Sequence, residues 1–460
     1  MRKCDLLVVG SGPAGQHAAI QAAKLGKSVI LVERRSSVGG VTVHTGTIPS
    51  KTLREAILYL TGWRQREIYG HDYRLKQSIT VDDLAQRLQF SIQHEVEVIQ
   101  SQLRRNGVVI VTGEASFADP TVINVTDRDG GTTPYQAEKI FLATGTHPRR
   151  PENIPFDDRI VIDSDGVLRM TSIPRSLIVY GAGVIGVEYA SMFNALDIDI
   201  TLINEHDRML PFVDRDVMDE FSRHMRDCGM HLLLGEKLEG LEVTDDGVTA
   251  MLTSGRSAHA EGFLFTAGRI GSTSMLKLEN AGLAANARHQ LEVNEHFQTA
   301  VPHIYAGGDL IGFPSLASTS MEQGRLAACH AFNEPCNRAP EHFPYGIYSV
   351  PEISMIGRTE QDLVSEGIAF ETGIARLRET ARGQIMALDE GLLKLLVATD
   401  DHRILGVHIF GEGATDLIHI GQAALILNGT LEYFVENAFN YPTLAEAYKI
   451  AALDAWNRIR

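Results

Sequence analysis

Cysteine is scarce in this chain. There are four in 460 residues, Cys4, Cys228, Cys329 and Cys336, and none forms a CxxC pair. That leaves no structural bridges to expect and matches a reducing, cytoplasmic compartment. Cys329 and Cys336 lie on one expected helix, where such residues pack rather than react. No run of eighteen apolar residues occurs, so no segment is expected to span a bilayer. Positive charge is also short. Lys and Arg number 42 against 58 Asp and Glu, a net charge of -16. Nucleic acid and anionic membrane surfaces repel such a chain, so neither is expected as a partner. The start, "MRKCDLLVVGSGPAG", has the basic residues of a leader, but Asp5 interrupts it and the apolar run is only Leu6 to Val9. A strand entering a turn is the expected structure.

What is present is a globular composition, 44% hydrophobic and 22% charged. The length is that of two to four domains. The most informative feature is an internal repetition. "CDLLVVGSGPAGQHAAIQAAKLGKSVILVE" reads strand, glycine turn, helix, strand, and so does "SLIVYGAGVIGVEYASMFNALDIDITLIN". Each has G-x-G-x-x-G directly after an apolar run: Gly10, Gly12, Gly15 and Gly181, Gly183, Gly186. Each reaches the end of its second strand 23 residues after the first glycine, at Glu33 and at Asn204. One such motif is weak evidence, because many helices open on glycine turns. Two in matching register point to two dinucleotide sites, with the pyrophosphate on backbone amides at the helix start.

The residue closing the second strand reports on the adenosine ribose. Glu33 is a carboxylate that accepts from both hydroxyls and repels a 2′-phosphate, which suits FAD or NAD. Asn204 carries no charge. Removing a carboxylate about 4 Å from a phosphate removes roughly 4 kcal/mol of repulsion per unit charge at an effective dielectric of 20. This expects a second site open to both NAD and NADP, with Arg208 and His206 as candidate contacts to the 2′-phosphate. Glu205 next door opposes that, unless it points the other way from the strand. Drift within an NAD site is the bland alternative for Asn204.

The stretch "SVGGVTVHTGTIPSKTLREA", residues 37–56, holds Gly39, Gly40 and Gly46, then Ile48-Pro49-Ser50-Lys51. Together with the turn Ala143-Thr144-Gly145, "TAVPHIYAGGD" at 299–309 and "NYPTLAEAY" at 440–448, it resembles the flavin-linked disulfide reductases over nearly the whole chain. The resemblance implies an α/β fold: two Rossmann-like domains, for FAD and NAD(P), and a C-terminal α+β dimerisation domain. The expected boundaries are 1–148 and 271–344 for FAD, 149–270 for NAD(P) and 345–460 for the interface. It implies FAD as cofactor, NAD(H) and NADP(H) as substrates, no metal, and a homodimer or a higher homo-oligomer built on it.

Against that pattern the redox groups are missing. Thr42 and Thr47 stand where the family has its two cysteines, and Tyr441 stands where it has a histidine base. A phenol of pKa near 10 is a poor base at neutral pH. The members most similar to this chain keep the first cysteine, so Thr42 is a departure. Dithiol turnover is excluded at this position. Hydride exchange between two nicotinamides through one flavin needs no thiol: NADPH + NAD⁺ ⇌ NADP⁺ + NADH. A diaphorase or NAD(P)H oxidase, and a redox-sensing flavoprotein without turnover, are the alternatives.

Residue by residue, the resemblance implies FAD contacts at Gly10, Gly12, Pro13, Ala14, Gly15, Glu33, Arg34, Gly39, Gly40, Thr42, Thr47, Lys51, Ala115, Ala143, Thr144, Gly145, Gly308, Asp309, Leu316 and Ala317. Nicotinamide contacts are Gly181, Gly183, Val184, Ile185, Gly186, Glu188, Asn204, Arg208 and Gly268. Lys51, Glu188 and Tyr441 are the candidate catalytic residues. Lys51 is expected near flavin N5 and paired with Glu188; a solvated helix-face lysine is the alternative. Asp309 is expected on the ribityl chain, and the helix starting near Leu316 is expected to aim its positive end at the flavin N1–O2 edge. A cis Tyr441-Pro442 bond is expected. Glu446 is expected as a structural partner at the interface, His419 as a packing residue, and His44 without a catalytic role.

Overall fold

The computed structural model describes residues 1–70, 72–335 and 342–459. Cys336 lies outside them. The chain divides into two compact units, Met1–Leu53, Asp82–Arg149 and Gly268–Pro340 in the first, and Arg54–Val81, Arg150–Ala267 and Glu341–Arg460 in the second.

The first unit is built on a seven-stranded sheet. Its spatial order is Val109–Thr112, Val29–Glu33, Arg2–Val9, Thr132–Leu142, Val122–Thr126, Glu114–Asp119, with Ile304–Ala306 also alongside Thr132–Leu142. The glycine-turn strands are central and parallel, with Leu7 opposite Ile30 and Ile140. Central parallel strands are covered on both faces, so they read as continuous apolar runs rather than alternations. One face carries Leu7, Phe117, Ile123 and Ile140 with the antiparallel ribbon. The other carries Leu6, Val8 and Leu31 with three helices, Pro13–Lys24, Val81–Arg105 and Ala317–Ala331. Ala18, Ala22, Ala327 and Ala328 are buried there. Small residues of this kind let two helices approach closely. Gly324 marks the tightest point, since a Cβ there would run into the Ala14 carbonyl.

In the second unit a five-stranded parallel sheet runs His231–Leu234, Asp199–Asn204, Ser176–Tyr180, Gly262–Phe265, Val161–Asp163. A three-stranded antiparallel sheet, Leu238–Thr244, Gly247–Leu252 and Ser257–Ala260, shares its core. The C-terminal part is a five-stranded antiparallel sheet in the order Tyr345–Ile347, Ile353–Gly357, Ile404–Phe410, Leu392–Ala398, Phe370–Arg376. Two long helices, Ala414–Ile426 and Glu446–Ile459, cover it. Three shorter helices, Glu360–Glu366, Ala381–Ile385 and Leu431–Glu436, accompany them. Among the described residues no helix is long and apolar enough to cross a membrane.

Candidate functional site

The first glycine turn forms because Gly10 adopts φ +100, and a Cβ there would strike the Ala143 carbonyl. Gly15 faces the Gly10 carbonyl so closely that only glycine can occupy it. Gly12 differs. Its φ of -68 suits any residue, and a Cβ there would meet no protein atom within 4 Å. Open space in front of a helix whose first amides lack intrahelical acceptors is a cradle for an anion. Pro13 opens that helix and Ala14 follows, buried. Gly39 and Gly40 pack the next loop onto the turn, with Gly40 against the Gly12 backbone.

Glu33 is buried behind the turn. Its Oε2 accepts from the Ser11 amide at 3.0 Å and the Ser11 hydroxyl at 2.5 Å, and Oε1 accepts from the Arg35 amide at 2.9 Å. Three of about four acceptor sites are thus used, which leaves one on Oε1 for a ribose hydroxyl. Ser11 was not among the expected contacts. Its Oγ also accepts from the Gly39 amide at 3.0 Å and so ties both glycine segments to Glu33. A cavity of about 290 Å³ opens beside Glu33, lined by Arg35 and Arg104 among others. Arg34 does not line it; the neighbouring Arg35 does, because successive side chains leave a strand end in opposite directions.

Further contacts follow the same frame. Ala143 donates to the Val9 carbonyl at 2.8 Å, and Gly145 turns at φ +66. The Thr144 hydroxyl is buried without a hydrogen-bond partner, an orphaned group that a bound ligand would satisfy. Asp309 accepts from Thr146 Oγ1 at 3.2 Å, and Thr146 Oγ1 accepts from Arg269 Nε at 2.9 Å. Burial raises the Asp309 pKa, with Arg269 and Thr146 acting against that. Thr146 and Arg269 carry no motif, so the sequence offered no signal for this relay. Gly308 donates to Gln323 Oε1 at 2.8 Å. The helix Ala317–Ala331 begins after Leu316 with no side-chain cap, so its first amides remain available. The side chain of Ala115 belongs to the core, which leaves only its main chain for a ligand. Residues of the first unit thus form a cradle, a carboxylate hook and an unsatisfied hydroxyl, which fits FAD.

Thr42 lies in the short helix Gly40–His44, and Thr47 opens the helix Thr47–Leu60. His44 Nε2 is 3.0 Å from the Val38 carbonyl, a structural bond. Lys51 is half-buried, with Nζ 3.2 Å from Ser50 Oγ. The described cysteines do not replace the missing thiols. Burial pushes both Cys4 and Cys228 up to about 11, so they stay protonated, and Cys329 is buried.

The second glycine turn repeats the first. Gly181 adopts φ +106, Gly186 faces the Gly181 carbonyl, and a Cβ on Gly183 would again meet nothing within 4 Å. Val184 and Ile185 form the first turn of the helix Val184–Ala195. Asn204 takes the place of Glu33. Its Oδ1 accepts from the Ala182 amide at 3.0 Å, matching the Ser11-to-Glu33 bond. Its Nδ2 donates to the His206 and Arg208 carbonyls, both at 3.0 Å. Arg208 is 41% exposed and lies 3.9 Å from Asp219. Glu205 is held by the Tyr180 hydroxyl at 2.7 Å. Glu188 is buried on the same helix and accepts from the Tyr348 amide at 2.8 Å. Gly268 lies in the first unit, where its carbonyl accepts from the Arg149 amide at 3.1 Å.

Tyr441-Pro442 is cis, and Tyr441 is 71% exposed. Glu446 Oε1 accepts from the Thr443 amide at 3.0 Å and so caps the last helix. His419 was expected to pack, yet its side chain is exposed on the helix Ala414–Ile426 beside Gln422. A helical residue faces the core only if its phase matches the neighbouring apolar positions, and Ile418 and Gly421 hold that face.

Two dinucleotide cradles and an antiparallel C-terminal sheet define the class. The family model for pyridine nucleotide-disulphide oxidoreductases matches residues 4–324, and the model for their dimerisation domain matches residues 343–452. The chain belongs to this family. A soluble pyridine nucleotide transhydrogenase of Mycobacterium bovis is 52% identical over 461 residues, covering 100% of this chain and 98% of the relative. One of Yersinia pestis is 43% identical, covering 99% and 98%. Among solved structures, LpdA from Mycobacterium tuberculosis superposes with a TM-score of 0.89 at 25% identity, covering 98% of this chain and 99% of that one. The flavoprotein disulfide reductase RclA from Escherichia coli, at 24% identity and a TM-score of 0.87, shares the fold.

Proposed function

We propose that this chain is a soluble, FAD-dependent pyridine nucleotide transhydrogenase that catalyses NADPH + NAD⁺ ⇌ NADP⁺ + NADH in the cytoplasm as a homodimer. The relatives at 52% and 43% identity carry that name. The observation that carries the reading is the pair of strand ends: a carboxylate, Glu33, closes the first cradle and a neutral amide, Asn204, closes the second. The first selects a dinucleotide without a 2′-phosphate. The second tolerates either nicotinamide, which an exchange between them requires.

When bound, FAD supplies the two-electron carrier between successive nicotinamides. Residues 1–148 and 271–344 hold it. The Gly12 cradle takes its pyrophosphate, Glu33 one ribose hydroxyl and Asp309 the ribityl chain. Lys51 and the positive end of the helix after Leu316 favour negative charge on the ring. Residues 149–270 take each nicotinamide dinucleotide in turn on the Gly183 cradle, with Arg208 facing a 2′-phosphate. Glu188 has its carboxylate oriented by the Tyr348 amide. Residues 345–460 form the dimer interface, where Tyr441 takes the place of a thiol base. With threonine at 42 and 47, electrons have no disulfide to enter.

An anaerobic mixing experiment tests this. NADPH bleaches the flavin absorbance of the holoenzyme, and added NAD⁺ restores it with formation of NADH. Absence of either half rejects the proposal. Recovery by oxygen or quinone but not by NAD⁺ reassigns the protein as a diaphorase.

A further inference from the structure

Of the carboxylates near the second cradle, which include Asp207 in the same turn and Asp219 3.9 Å from Arg208, Glu205 is the one adjacent to Asn204 and argues most directly against NADP. It follows Asn204 directly and is exposed. A 2′-phosphate beside it would meet a carboxylate, and like charges at short range repel. Its carboxylate is nevertheless engaged. Tyr180, the last residue before the glycine turn, donates its hydroxyl to Glu205 Oε1 at 2.7 Å. The same hydroxyl oxygen accepts the Leu238 amide at 3.3 Å, which steers its proton toward Glu205. The ring cannot easily follow a different partner. It is 4% exposed and stacks on Phe265 and Phe263, with centroids 5.7 and 6.3 Å apart.

The backbone on the other side is equally fixed. Asn204 Nδ2 bonds the carbonyls of His206 and Arg208. The turn 204–208 therefore holds its shape while Glu205 is drawn to one side of it. A charge-assisted bond from a phenol is among the stronger neutral-to-ion bonds, so the restraint is substantial.

Resting on the transhydrogenase reading, we infer that Tyr180 is a specificity-determining positioning residue: it ties the Glu205 carboxylate back, so that a nucleotide 2′-phosphate meets Arg208 and not the Glu205 carboxylate. Tyr180 touches neither the phosphate nor the reacting atoms. It acts through Glu205.

The test uses the FAD-loaded protein and two probes, adenosine 2′,5′-bisphosphate and 5′-AMP, with affinities measured by calorimetry, and NADPH and NADH as substrates. Tyr180→Phe should weaken the bisphosphate about tenfold and raise the KM for NADPH similarly, while 5′-AMP and NADH change less than about twofold. Adding Glu205→Gln to Tyr180→Phe should restore bisphosphate binding to within about twofold of the native protein. Glu205→Gln alone should improve it by far less than it does in the Tyr180→Phe background. Equal loss of both probes, or an equal effect of Glu205→Gln in both backgrounds, overturns the inference. Glu205→Gln on the native chain keeps the comparison available if Tyr180→Phe folds poorly, since a large gain there means that Glu205 is not restrained. A native protein that binds neither probe overturns the transhydrogenase reading itself, a result distinct from loss of selectivity.

Discussion

Lys394 Nζ lies 2.9 Å from Asp214 Oδ1, and neither side chain is exposed at all. Asp216 at 2.8 Å and Glu360 at 2.5 Å complete the cluster. Asp214 also caps the helix Arg215–Asp227 by accepting the Asp216 amide, and it accepts the Glu360 amide. Burial pushes the Lys394 pKa down, but the surrounding carboxylates outweigh it and the net direction is up. The ammonium is therefore charged, and it neutralises the Asp214 carboxylate, which water cannot reach, while Asp216 and Glu360 hold it from the solvent side. Lys394→Met removes the cation and leaves Asp214 buried and charged, which costs about 3–5 kcal/mol. Thermal or denaturant unfolding of the variant checks this. Pairing it with Asp214→Asn should recover much of the loss, since the stranded charge goes while the amide still accepts the cap.

Acid should act on the second unit before the carboxylates titrate. Burial pushes His224 down to about 4 from 6.5, with Asp227 opposing, and burial lowers His408 as well. Both imidazoles are neutral in the fold and bind protons more readily when unfolded. A depressed folded-state pKa gives stability that is present above the unfolded value and lost as pH falls. His224 should contribute about 3 kcal/mol that disappears between pH 6.5 and 4. His224→Gln should flatten the melting temperature against pH in that window. An unchanged acid slope in the variant rejects the assignment.

How much of this was legible depends on where the constraint acts. The glycine turns were, because backbone sterics leave a local mark: Gly10 and Gly181 have positive φ, and Gly15 and Gly186 face carbonyls. The places of Glu33 and Asn204, each accepting from an amide of its own glycine turn, followed from their position in the repeat. The Lys394 cluster was not legible. "LLKLLVA" reads as an apolar strand, and Asp214 is 180 residues away. The Thr146 relay joins Arg269 from 123 residues off, and neither belongs to a motif. Long-range polar pairs leave no periodicity, so a sequence shows the groups and not their meeting. His419 failed for a related reason: one helical residue does not reveal its phase.

Gly12 and Gly15 separate ligand space from folding space. Gly12→Ala introduces no protein clash and keeps an ordinary φ. Its stability without cofactor should stay within about 1 kcal/mol of the native chain, while flavin absorbance after purification is largely lost. Gly15→Ala drives a methyl into the Gly10 carbonyl and should give little folded protein. Equal flavin retention in Gly12→Ala and the native chain would mean that the pyrophosphate does not lie there.

The same logic at the second turn isolates the nicotinamide step. A methyl on Gly183 meets no protein atom, and the conformation, φ -76 and ψ -177, is open to alanine. Gly183→Ala should therefore fold and retain FAD, because the first cradle is untouched. Its KM for NADPH and for NADH should rise together, by roughly tenfold or more, since a pyrophosphate common to both loses its closest amides. The bleaching rate at saturating nucleotide should change far less, because ground-state binding is what the methyl obstructs. Dithionite titration of the same variant, and of the native holoenzyme, should end after one equivalent per FAD. Thr42 and Thr47 offer no second electron pair a place to reside, so consumption of a second equivalent would reveal a redox centre elsewhere in the chain.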